Sequence, residues 1–240
     1  MFFLVDWDNI RPNQRRLGIV TVVEKMVQHV ALRVAPTSTK LRFRLYGGWY
    51  EDDQLTRYAQ RLSAGINADF PRAISVPTTA GTRSMIANLE LALALDLRPT
   101  YHLFRTYRRR QVPSNLRADS PRDHGCDDDR CPLQLLDRFI NDGRCPKAGC
   151  GITVDQVLFV GQQKLVDAML LSDLLYAARQ GESSVVVVSS DDDLWPGIVL
   201  ASACGLHVFH LHTHVGRSTP RVYSRMMQSH YTEIAWEAGS

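Results

Sequence analysis

Short apolar runs alternate along the chain with longer stretches whose apolar positions recur every three or four residues. That rhythm predicts strands alternating with helices. Phe2 to Val5 reads as a short buried strand. Ile19, Val20, Val23, Met26, Val27 and Val30 line one face of a helix from Leu17 to about Val34, ended by Pro36. Leu41, Phe43 and Leu45 alternate with Arg42 and Arg44, a strand through Tyr46 closed by Gly47 and Gly48. Leu55, Tyr58, Ala59 and Leu62 have helical spacing, with Gly65 as the expected cap, and a short strand covers Ile74 to Val76. Met85 to Leu97 satisfies either period and stays open.

Further along, Tyr101 to Tyr107 reads as a strand, followed by a segment rich in Arg, Pro, Cys and Gly. The rhythm resumes with a strand at Val157 to Val160 and a helix at Lys164 to Arg179. Val185 to Val188 is next, too short for a helix and β-branched throughout, as a strand buried on both faces requires. A helix at Trp195 to Cys204, a strand at Leu206 to Leu211 and a helix at Tyr223 to Trp236 complete the pattern. Such alternation implies an α/β fold, a doubly wound, mostly parallel sheet flanked by helices. Residues 1–240 are expected to form one domain, interrupted by an insertion at 98–151.

Composition narrows the class. No apolar run approaches the roughly 20 residues that span a bilayer. The leading MFFLV is cut short by Asp6, so it is not read as a signal peptide. A cytoplasmic, reducing setting is the expectation, and the five cysteines then call for something other than disulfides. The net charge of +3 says little, because acids and arginines are segregated along the chain.

The acids fall where the predicted strands end. Asp6, Asp8 and Asn9 follow the first strand, Asp167 follows the Val157 strand, and Ser189, Asp191, Asp192 and Asp193 follow the valines. A helical wheel sets Asp167 with Leu170, Leu171 and Leu174 on the sheet-facing side, and Asp173 on another face. In a parallel sheet these ends share one edge, and ligands of open α/β sheets bind there. Carboxylates crowded into one cleft repel one another unless a cation relieves them. Mg²⁺ or Mn²⁺ is the natural partner for an all-oxygen site, where it can activate water and stabilise a phosphodiester transition state. Asp6, Asp167, Asp191 and Asp193 are the expected ligands. A plainer account makes Asp6, Asn9 and Asp191 turn and cap residues.

The segments FLVDWDN, QKLVDAMLLSD and VVVVSSDDDLWP together resemble the three signature segments of NYN domains, nuclease-like members of the PIN superfamily. Asp6 and Asn9 match an Asp-x-x-Asn; Lys164, Val166 and Asp167 a Lys-x-Val-Asp; and Ser189, Asp191 and Asp193 a Ser-x-Asp-x-Asp. Leu194 stands where that family has Phe. The resemblance implies a PIN-like fold and metal-dependent hydrolysis of RNA, with Asn9 and Ser189 orienting water or ligands. Lys164 would contact phosphate or neutralise the acids. Two rivals remain. Asp6-Trp7-Asp8 resembles the Asp-x-Asp of HAD-type phosphatases, with Asp6 as nucleophile and Asp8 as general acid. An inactive RNA-binding module is the other.

Cys126, Cys131, Cys145 and Cys150 form C-x4-C-x13-C-x4-C, which suits structural Zn²⁺, two disulfides being the alternative. Cys204 reads as a core residue. Between Arg98 and Arg122 stand seven arginines and one acid, with Tyr101, Phe104 and Tyr107 among them. Arg105, Arg108, Arg109 and Arg110 are the expected RNA contacts, since arginine binds phosphate bidentately and exposed aromatics stack on bases. His210, His212 and His214 share strand parity but read as ordinary strand or loop histidines. The expected partner is RNA, without a membrane; a homodimer stays open.

Overall fold

Phe2, Phe3, Leu4 and Val5 are all buried, as are Val185 to Val188. A strand that hides successive residues must be covered on both faces, and helices do the covering. The computed structural model describes residues 1–31, 39–78, 81–128, 130–225 and 229–236. The expected end of the first long helix near Val34 and Pro36 lies outside the described residues.

Two units emerge: Met1–Tyr107 with Gln163–Ser240, and Arg108–Gln162. The second begins and ends later than the 98–151 segment that composition marks off. In chain order the elements are β1 (Phe2–Asp6), α1 (Pro12–Arg15), α2 (Ile19–Ala31), β2 (Lys40–Tyr46), β3 (Tyr50–Glu51), β4 (Gln54–Leu55), α3 (Arg57–Asp69), β5 (Arg72–Thr78) and β6 (Gly81–Leu91). Then come β7 (Tyr107–Gln111), α4 (Pro132–Asp142), α5 (Val154–Val157), β8 (Phe159–Gln163), α6 (Val166–Arg179), β9 (Ser184–Val188), α7 (Trp195–Ala203), β10 (His207–His212), α8 (Arg221–Ser224) and β11 (Tyr231–Ala235).

The first unit is an α/β body around a mixed seven-stranded sheet of order β11-β10-β9-β1-β2-β6-β5. Every neighbouring pair is parallel except the edge pair β5–β6. From β1 the chain builds outward through β2 to β6 and β5, then returns to add β9, β10 and β11 on the other side. The winding therefore reverses between β1 and β9. Phe3, Val5, Phe43 and Val186 pack with Val23, Met26 and Val27 of α2 on one face. Leu4, Val185 and Val187 pack with Leu170 and Leu174 of α6 and Ile198 of α7 on the other.

The Met85 to Leu97 stretch, which fits either period, is strand through Leu91 in the long β6. Several expectations are corrected. Gly65 lies inside α3, which starts at a Thr56 N-cap, its hydroxyl accepting from the Ala59 amide at 3.1 Å, and runs on to Asp69. Tyr101 to Tyr107 forms no strand before Tyr107, only a bridge between His102 and Ala94, because the strand extends into the arginines instead. Val154–Val157 is helical, and the following strand β8 is not part of the seven-stranded sheet. The helix expected from Tyr223 to Trp236 is one short turn followed by β11, whose Tyr231, Thr232 and Ile234 suit a strand and pair with β10. Cys204 is exposed at the end of α7, past its buried face.

Arg44 and Asp173 are also not where amphipathic patterning puts them. Both are buried, because the polar face of β2 is covered at Arg44 although Arg42 stays exposed. Arg44 pairs with Asp96 at 2.8 Å and lies 3.4 Å from Asp173. Asp173 accepts the Tyr46 hydroxyl at 2.6 Å and the Asp96 amide at 2.7 Å. Removing one member of such a network strands a buried charge. Asp173→Ala is expected to lower the unfolding free energy by about 3 kcal/mol or more. Urea melts of the two proteins measure this; a loss below about 1 kcal/mol would show the network to be dispensable.

Candidate active site

β1 and β9 run side by side in register, Val5 beside Val188, so the residues just past the two strands meet at one edge. Asp6 ends β1 and is 4% exposed. Its Oδ1 accepts the Asn9 amide at 3.2 Å and its Oδ2 the Ser189 hydroxyl at 2.9 Å. The same hydroxyl oxygen accepts the Asp191 amide at 3.1 Å, and Asp191 Oδ1 accepts the Asp193 amide at 3.0 Å. Asp191 is thus the N-cap of the 3-10 turn Asp192–Leu194 while its second oxygen takes no part in that cap. Asn9 Oδ1 accepts the Ser190 amide at 2.8 Å and the Thr213 hydroxyl, tying together the ends of β1, β9 and β10.

Asp167 arrives by a different route from the one expected. It stands in the first turn of α6, exposed, while Val166, Met169, Leu170 and Asp173 form the buried face. Leu165 precedes the helix in a left-handed conformation (φ 65°) that leucine rarely adopts. Asp167 nevertheless shares one electrostatic environment with the others. Its carboxyl is pushed up by partial burial, then by Asp191 and Asp193. Asp6 is pushed up to about 7, first by burial, with Asp167 and Asp8 adding repulsion and the Ser189 and Asn9 hydrogen bonds opposing them. Repulsion thus links Asp6 to Asp167, and Asp167 to Asp191 and Asp193.

Two accompanying residues, Ser189 and Asn9, are drawn into ties between the strand ends. Ser189 is fully buried and Asn9 Oδ1 is taken up by the strand ends. Lys164 is half-buried, its amide bonded to the Thr106 carbonyl at 2.9 Å. Asp8 is occupied on both oxygens, by Arg15 at 3.1 Å and by the Gly48 amide at 3.0 Å. Gly47 must be small here, since a Cβ would lie 2.9 Å from Asp8 Oδ2 and 2.8 Å from the Trp49 ring. Asp192 turns to Arg217.

One buried residue beneath the site has a role that sequence reasoning missed. His210 Nε2 donates to the Ser189 carbonyl at 2.9 Å, and its Nδ1 lies 3.1 Å from the Tyr231 hydroxyl. Burial, then His212, holds its pKa down to about 3, so it is neutral at physiological pH. The only signal available was a polar residue in a strand covered on both faces, which must find partners.

Among the described residues, no three or more His, Cys, Asp or Glu side chains stand in position to hold a metal ion. Cys126, Cys131, Cys145 and Cys150 are free thiols, half-buried in the second unit. Cys131 caps α4, and Cys145 and Cys150 bracket a turn closed by the Arg144–Thr153 bridge. Arg105 belongs to the first unit; Arg108, Arg109 and Arg110 belong to the second, where the Arg109 guanidinium lies 4.5 Å over the Phe159 ring.

The geometry defines a carboxylate cluster at the carboxyl edge of an α/β sheet, where its winding reverses. No protein-family model, curated protein or solved structure matches the chain.

Asp6 ties stability to pH with a definite sign. Its folded-state pKa, about 7, lies above its ordinary 3.8, so the folded state holds the proton more tightly. The stability it contributes is fully present below 3.8 and is lost as pH rises to about 7. Asp6→Asn removes that loss. In metal-free buffer the melting temperature of the variant should gain on the wild type as pH rises through this window, then level off. A difference that stays flat or shrinks with pH would contradict the buried, raised carboxyl.

Proposed function

We propose that this chain is a PIN-like nuclease of the NYN type that hydrolyses RNA phosphodiester bonds with a divalent cation. One observation carries the proposal: the Ser189 hydroxyl donates to Asp6 at 2.9 Å and accepts the Asp191 amide at 3.1 Å, setting two acidic residues at one sheet edge where Asp167 and Asp193 add like charge. Folding has gathered charges that oppose one another, at the edge where open α/β sheets bind ligands. Asp6 is buried there at a cost that an Asn would avoid. A site that serves only the fold has no use for this; a site for a cation does.

The donor set suits Mg²⁺ or Mn²⁺ in kind, since all four are hard carboxylate oxygens. When bound, such an ion would polarise the scissile phosphate and lower the pKa of a coordinated water. The protein's own part is positional. Ser189 and the Asn9 amide aim the Asp6 carboxylate, His210 holds the Ser189 backbone, and the Asp191 cap turns the chain so that Asp193 follows at the same edge. The phosphatase reading is weaker, because it needs Asp8 as a free general acid and both Asp8 oxygens are engaged. RNA as substrate rests on the resemblance of the three motifs and on the arginines Arg105, Arg108, Arg109 and Arg110.

Structural Zn²⁺ on Cys126, Cys131, Cys145 and Cys150 is proposed on separate grounds. Among the described residues of the second unit, only Pro121 and Gln134 are buried, whereas Leu133, Leu135 and Leu136 are exposed. A unit without an apolar core needs a staple to fold. Purified protein should carry one zinc per chain, and chelation should expose reactive thiols and reduce helicity. Zinc-free protein that titrates for a single thiol would point instead to two disulfides.

Total cellular RNA incubated with wild type or Asp191→Asn, with Mn²⁺ or with EDTA, tests the catalytic proposal. Fragmentation is expected only from the wild type with Mn²⁺, the variant losing on the order of 100-fold or more. Equal outcomes in all four arms would overturn it.

A further inference from the structure

Residues 98–105, in the first unit, take no part in the carboxylate cluster, yet they hold aromatic rings out into solvent. Tyr101 is 68% exposed and Phe104 47%. Neither ring is loose. The bridge from His102 to Ala94 and the Leu103 amide bonded to the Leu93 carbonyl at 2.8 Å pin the backbone, and the half-buried Leu103 packs against the core. With Leu103 turned in, its neighbours His102 and Phe104 are turned out. Phe104 rests edge-on against the buried Tyr50, ring centroids 4.9 Å apart, and the Tyr50 hydroxyl lies 2.6 Å from His102 Nδ1. The Arg98 guanidinium stands 5.9 Å over the Tyr101 ring. Arg105, 70% exposed, has a positive φ of 59°, its amide held by the Asp52 carbonyl at 2.8 Å.

We propose that Tyr101, His102 and Phe104, flanked by Arg98 and Arg105, form a ledge on which the bases of a single-stranded polynucleotide stack. Exposed, rigid rings give stacking faces at little entropic cost, and arginines supply the attraction to phosphate. The Arg105–Asp52 pair, 3.7 Å apart and exposed on both sides, is weak enough for a phosphate to displace. The His102 and Phe104 centroids are 6.2 Å apart and tilted by 60°. That is roughly twice the ~3.4 Å spacing along a duplex strand, so the ledge suits bases splayed apart and not a stacked helix. Its location suits the proposed nuclease, on which this substrate assignment rests. The next residue, Thr106, accepts the Tyr50 amide through Oγ1 at 2.9 Å and the Lys164 amide through its carbonyl at 2.9 Å. Lys164 lies three residues before Asp167, so the ledge adjoins the turn that presents that acid.

Fluorescence anisotropy with the full chain in EDTA tests this, using labelled oligonucleotides of about ten nucleotides as RNA, as DNA and as the matching duplex. Wild type should bind one or both single strands more tightly than the duplex. Phe104→Ala should weaken single-strand binding roughly 5- to 100-fold with an unchanged melting temperature, and Phe104→Trp should restore it. Arg105→Ala should reduce the salt dependence by about one phosphate contact. Equal binding by wild type and Phe104→Ala, or a preference for duplex, would overturn the ledge. The two proposals separate cleanly: Phe104-dependent binding without metal-dependent cleavage removes the nuclease and keeps the ledge, and cleavage with Phe104-independent binding does the reverse.

Discussion

The seam between β1 and β9 is the constraint on which the rest of this protein depends. Four residues of each strand pair in parallel, Phe2 with Val185 through Val5 with Val188, and all eight side chains are buried. A slip of one residue would turn every side chain to the wrong face, so burial on both faces holds the register. The register in turn sets Asp6 beside Ser189, and one hydroxyl then links two acids, donating to Asp6 and accepting from the Asp191 amide. Asn9 extends the link to β10 through Ser190 and Thr213. Strand packing fixes the carboxylates before any carboxylate interaction operates.

Two buried acids of the body show how differently such a group can be accommodated. Asp173 has Arg44 beside it, and two hydrogen bonds favour its charge against the burial that pushes its pKa up. Asp6 has hydrogen bonds but other carboxylates as its charged neighbours, and its pKa stands near 7. The first arrangement is complete within the protein. The second sets a buried carboxyl among like charges.

The second unit solves a different problem. Leu133, Leu135 and Leu136 are exposed and its turns are held by backbone contacts, such as the Cys145 amide on the Ile152 carbonyl at 2.9 Å and the Gln134 amide on the Cys131 carbonyl at 3.0 Å. The four cysteines stand at or beside these turns.

Strong local periodicity made most of the body legible in the sequence. The valines of β9, the spacing of α2 and α6 and the placement of Asp6, Asp191 and Asp193 after strands all follow from side-chain pattern and short-range sterics, which a sequence carries in full. The expectations that failed depended on which surfaces meet. Tyr231–Ala235 became a strand because β10 offered an unpaired edge, and Arg44 and Asp173 are buried because α6 covers a face that alternation alone marked as open. Asp167 reached the cluster from an exposed helical turn, and Ser189 and Asn9 became ties between strands instead of free ligands. The sequence by itself determined the strongly periodic elements of the body and the acids at their ends. Only the tertiary structure decided which ends meet and which polar groups are already satisfied, because those depend on contacts between residues far apart in the chain.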